Sequence, residues 1–130
     1  MKILVVDDSS WQRSMLRKVL GGAGCSVVDA ANGNEAVAKV DAESPDVIVC
    51  DLLMPELDGF GFLGLLKERG LSIPVVIASA DIQKATREKC EELGAFGFVG
   101  KPYTPDQLLK VVAAAAQSVG KGDPQLASGC

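Results

Sequence analysis

The chain has 130 residues, 48% of them hydrophobic, a net charge of −4 and no histidine. That size suits one domain with a full core and leaves no room for two. The acidic balance gives no electrostatic footprint for nucleic acid or an anionic membrane surface. Without histidine, neither a Ser-His-Asp nor a Cys-His machine can be built, and the chain cannot itself donate phosphate from a histidine.

The first predicted element is the apolar run Ile3-Leu4-Val5-Val6, a strand over 2–7 that ends on Asp7 and Asp8. It starts within two residues of the N-terminus, with no basic-then-apolar leader before it. A helix over 10–22 follows, then a strand over 26–30, a helix over 34–43 behind the Asn32-Gly33 break, and a strand over 46–51 led by Pro45 and closed by Asp51. The second half repeats the pattern: a helix over 58–69 stopped by Gly70, a strand over 74–79 beginning at Pro74, a helix over 83–93, and a strand over 96–100. The last helix, 105–119, starts with Thr104 as N-cap and Pro105 in its first position. Its residues Leu108, Leu109, Val112, Ala115, Ala116 and Val119 recur at helical spacing. Residues 120–130 read as a flexible C-terminal tail, leaving 1–119 as the domain. No stretch approaches the roughly 20 apolar residues that span a bilayer, so a cytoplasmic location is expected. Cys25, Cys50, Cys90 and Cys130 show no metal-binding or redox spacing and read as free thiols in a reducing compartment.

Short continuous apolar runs are the mark of strands buried on both faces, and strict βα alternation gives a parallel sheet covered by helices on both sides. Right-handed crossovers leave a few strand orders, of which 2-1-3-4-5 is the flavodoxin-like, doubly wound one. In such a sheet Asp7, Asp8 and Asp51 emerge at one carboxyl edge, where open α/β folds place their sites. Three carboxylates there repel one another and call for a hard, oxygen-liganded cation such as Mg²⁺, which commonly serves phosphate chemistry. Gly59-Phe-Gly-Phe-Leu-Gly64 matches the G-x-G-x-x-G pattern of dinucleotide sites. However, Met54 to Asp58 separate it from the strand, and the turn after the first strand carries acids that would repel a pyrophosphate. Close packing against the sheet is the better use for these glycines.

In order, the chain presents Val6-Asp7-Asp8-Ser9, Asp51-Leu-Leu-Met-Pro-Glu-Leu-Asp-Gly59, Ser79-Ala80 and Lys101-Pro102, each at the end of a predicted strand. Over residues 1 to about 119 it resembles the receiver domain of two-component response regulators. The resemblance implies that Asp51 is the phosphoacceptor for a histidine kinase. It implies that Asp8, Asp51 and the backbone carbonyl of Leu53 ligate Mg²⁺, with Asp7 binding directly or through water. Lys101 would pair with phosphate oxygens, Ser79 would donate its hydroxyl to the phosphoryl group, and Phe98 would be the switch aromatic. The Lys101-Pro102 bond is expected to be cis. The output surface would be the fourth helix, fifth strand and fifth helix, docking a downstream effector protein. Such a domain is a signalling protein rather than an enzyme on external substrates, although it catalyses its own phosphorylation and slow dephosphorylation. Haloacid-dehalogenase-type hydrolases share the strand-end aspartate, but their D-x-D-x-[TV] motif is not matched by Asp7-Asp8-Ser9-Ser10. A pseudo-receiver serving only for docking would lack an acid or the lysine, and none is missing. With no effector domain in sight, a monomeric chemotaxis-type switch is expected, and a phosphorelay intermediate is the alternative.

Overall fold

The computed structural model describes residues 1–54 and 56–119; the tail expected at 120–130 lies outside them. Ten elements alternate in the expected order: β1 (Lys2–Val6), α1 (Ser10–Gly22), β2 (Ser26–Ala30), α2 (Gly33–Glu43), β3 (Val47–Asp51), α3 (Gly59–Glu68), β4 (Val75–Ser79), α4 (Lys84–Glu92), β5 (Gly97–Gly100) and α5 (Pro105–Ser118). The strands form one sheet in the order β2-β1-β3-β4-β5, every neighbouring pair parallel. The flavodoxin-like order and each element are therefore as expected, with boundaries within a residue.

Strand alternation makes two cores out of one sheet. Ile3 and Val5 of β1, with Val47 and Val49 of β3, face α1 and α5 and join Leu16, Leu20, Leu108 and Val112. Leu4, Val6, Ile48 and Cys50 face the other way and join Ala36 and Val40 of α2 with Phe62, Leu63 and Leu66 of α3. Burying each such side chain contributes roughly 1.5–3 kcal/mol, so the central strands anchor the fold.

Four helices start on side-chain caps. Ser9, Asn32 and Asp58 each accept a backbone amide in the first turn. Thr104 forms a full capping box with Gln107 ahead of Pro105, at the predicted boundary. By contrast, α4 has no side-chain cap and buries only Cys90. Past α3 and α4 the chain turns through Gly70 and Gly94, both at positive φ, which glycine adopts without steric cost.

Cys50 and Cys90 are free and buried. Cys25, at the foot of β2, is buried in the core it shares with Leu16 and Leu20. Among the described residues no helix is long and apolar enough to cross a membrane.

Candidate functional site

Parallel register decides what meets at the carboxyl edge. Val6 pairs with Cys50 and Asp51 with Ala78, so β1, β3 and β4 end at nearly one level. Ser79 pairs with Gly100, and the next amide, Lys101 N–H, donates to the Ser79 carbonyl at 2.8 Å. Asp7, Asp8 and Asp51 each offer a carboxylate oxygen, all three within 4.8 Å of one another. Asp7 is buried at 3% exposure, Asp51 is half-buried, and Asp8 faces solvent.

Lys101 reaches into this cluster from β5. Its Nζ stands 3.2 Å from Asp7 Oδ2 and 3.5 Å from Asp51 Oδ1. The other Asp7 oxygen accepts the Ser9 amide at 2.9 Å. Arg13, one turn into α1, donates from Nη1 to the Asp7 carbonyl at 2.7 Å, clamping the main chain there. The Lys101-Pro102 bond is cis, as expected.

The charges act on one another. Burial raises the Asp51 carboxyl above its ordinary value; Lys101 and the Leu52 and Leu53 amides oppose that rise, while Asp7 reinforces it. Burial alone would lower Lys101, yet Asp51 and Asp7 outweigh it and hold the ammonium above the ordinary lysine value. The lysine therefore stays charged between two acids.

Glu56 and Leu57, ahead of α3, are pinned against α2. Glu56 takes a left-handed backbone, φ +68, and accepts Asn34 Nδ2 at 3.2 Å. Gly33 leaves no space for a side chain because a Cβ would strike the Leu57 backbone, and a Cβ on Gly59 would come within 2.7 Å of the Asp51 carbonyl. Gly59 N–H also donates to the Leu52 carbonyl at 2.9 Å. The first glycine of the G-x-G-x-x-G run thus lets α3 start directly beneath Asp51.

Asp7, Asp8, Asp51 and Lys101 are brought together as the sequence suggests. Leu53 sits beside them on the loop with its side chain 76% exposed. Ser79 is buried on the same rim, but its hydroxyl accepts the Asp81 amide at 3.1 Å. Phe98 lies farther out, paired with Ile77, and its ring stacks under the Arg87 guanidinium at 5.4 Å. Sequence reasoning missed Arg13, Gln12 and Tyr103. Gln12 Nε2 donates to the Tyr103 hydroxyl at 2.8 Å, joining α1 to the turn after β5. Only the aromatic next to Lys101-Pro102 hinted at this.

The cluster contains oxygen donors only, with no imidazole or thiolate among its three acids. Such a donor set suits a hard cation such as Mg²⁺ and disfavours softer metals.

Comparison with known proteins identifies the family. The family model described as "Response regulator receiver domain" matches residues 3–113. Chemotaxis protein CheY of Listeria monocytogenes is 34% identical over 118 residues, covering 90% of this chain and 99% of that protein. A protein-glutamate methylesterase/protein-glutamine glutaminase of Treponema denticola is 41% identical over 105 residues; the match covers 78% of this chain but 28% of the larger protein. Among solved structures, chemotaxis protein CheY4 of Vibrio cholerae superposes with a TM-score of 0.83 at 33% identity, covering 88% of this chain and 97% of that one. Fold, site geometry and relatives converge: this chain belongs to the response regulator receiver domains of two-component signalling systems.

Proposed function

We propose that this receiver accepts a phosphoryl group on Asp51 from the phosphohistidine of a histidine kinase and signals by phosphorylation-dependent protein binding. The observation that carries the reading is the convergence of three carboxylates and one ammonium on a single rim. In the transfer an Asp51 oxygen bonds to phosphorus while the P–N bond breaks and the imidazole nitrogen keeps the electron pair. A carboxylate made more basic by burial is the better nucleophile for this.

Asp7, Asp8 and Asp51, with the Leu53 carbonyl, would hold Mg²⁺. When bound, the cation supplies positive charge against the phosphoryl oxygens. Lys101 supplies the rest from a different element, as a point charge suited to phosphate. The Ser79 hydroxyl would leave the Asp81 amide to donate to the phosphoryl group, biasing the turn between β4 and α4.

Output follows on the neighbouring face. Ile82 is 63% exposed and Phe96 41% exposed, on either side of α4, and Phe98 lies beneath Arg87. This apolar set supports docking of an effector protein on α4, β5 and α5, with Phe98 as the switch aromatic. The likeness to a chemotaxis CheY along 99% of that protein supports a chemotaxis-type role for a cytoplasmic, monomeric switch.

Incubation with acetyl phosphate and Mg²⁺ tests the assignment. Intact mass spectrometry should show one added phosphoryl group, labile at alkaline pH, and none on Asp51→Asn. Undiminished labelling of that variant would place the acceptor elsewhere.

A further inference from the structure

A ring of contacts runs out from Asp7 of the acidic cluster and back to it, and the transfer chemistry leaves half of it unexplained. Asp7 Oδ1 accepts the Ser9 amide at 2.9 Å, and Ser9 Oγ accepts the Gln12 amide at 3.2 Å. The Gln12 side chain then donates to the Tyr103 hydroxyl at 2.8 Å. Tyr103 follows Lys101 by two residues, and Lys101 Nζ returns to Asp7 Oδ2 at 3.2 Å. The ring begins and ends on one carboxylate.

Lys101 needs such support. Its ammonium sits on a flexible four-carbon stem, so its position depends on where the main chain is held. On the strand side its N–H is fixed to the Ser79 carbonyl. On the helix side Pro102 and Thr104 are exposed, and Tyr103 alone between them turns inward, packing against the core under α1 and α5. The ring of Tyr103 anchors the turn, and its hydroxyl ties the turn to α1, the helix whose cap Ser9 also binds Asp7.

We propose that Tyr103, held by Gln12, is a positioning residue that sets where the Lys101 ammonium stands when a phosphoryl group arrives at Asp51. This rests on the assignment of Asp51 as acceptor. A phosphate-pairing group displaced by even about 1 Å loses much of its effect on a transfer rate. Tyr103→Phe keeps the ring and removes only the tether.

The test measures the rate of acetyl-phosphate labelling of the full chain at saturating Mg²⁺. Tyr103→Phe and Gln12→Ala should each slow labelling about threefold to tenfold, the span one hydrogen bond commonly governs. Mg²⁺ affinity should stay unchanged. The double variant should be no slower than either single one. In a Lys101→Ala background, followed over a longer time course, Tyr103→Phe should add nothing, because the residue it positions is gone. A structural role would instead lower thermal stability and slow both backgrounds alike, and that result overturns the proposal, as would wild-type labelling of Tyr103→Phe. Failure of the wild type itself to label on Asp51 would remove the acceptor assignment, and the proposal with it.

Discussion

Asp51 works against its own fold. Its carboxyl titrates above the ordinary value of 3.8 because it is buried, with Asp7 beside it. A raised carboxyl contributes stability that is fully present below the unfolded value and is lost as pH rises through the folded one. Asp51→Asn cannot suffer that loss. In EDTA, denaturant melts of the two proteins should therefore agree near or below 3.8 and diverge above it, the variant gaining about 1 kcal/mol at neutral pH. A variant less stable at neutral pH would show that Lys101 more than compensates the crowding. Asp29 behaves oppositely: its hydrogen bond from Arg17 lowers it, so its contribution is present above 3.8 and lost as pH falls. It is common to both proteins and cancels in the comparison. Asp8 is the exposed member of the cluster, so its gain comes on metal binding. Calorimetry should find Mg²⁺ affinity lowered about tenfold in Asp8→Asn. It should be unaltered in Asp41→Asn, whose carboxylate instead faces Arg69 at 3.2 Å. Equal affinities would exclude Asp8 as a ligand.

At the scale of elements, α3 separates what the sequence displays from what it hides. Gly59, Gly61 and Gly64 look equivalent in a pattern, yet a Cβ on Gly59 would collide with the Asp51 carbonyl and the Leu52 Cα, whereas one on Gly64 would meet nothing within 4 Å. Gly64→Ala should accordingly raise stability by roughly 0.5–1 kcal/mol, the backbone entropy cost of a helical glycine. Gly59→Ala should lower it by about 1–3 kcal/mol through forced backbone shifts, and thermal melts of both variants decide the matter. The positions of Asp7, Asp8, Asp51 and Lys101 were legible because each closes an apolar run, and parallel strands deliver their ends to one edge. The caps at Thr104 and Pro105 were legible because local chemistry sets them. What stayed hidden depends on tertiary approach, as with Gln12 and Tyr103, which are separated by 91 positions, or on turn geometry, as in the engagement of Ser79 Oγ by the Asp81 amide.

For the molecule as a whole, the two rims of the sheet have different duties. The carboxyl rim holds every group assigned to the chemistry. At the opposite rim, Met1 leads into β1, and α5 has returned so that Val119 lines a groove of about 430 Å³ with Pro45, Asp46, Leu71 and Pro74. Five-residue strands put the rims about 16 Å apart. Met1 and Val119 thus both stand on the side away from the aspartates. A polypeptide joined at either point would begin a strand's length, about 16 Å, from the acidic cluster.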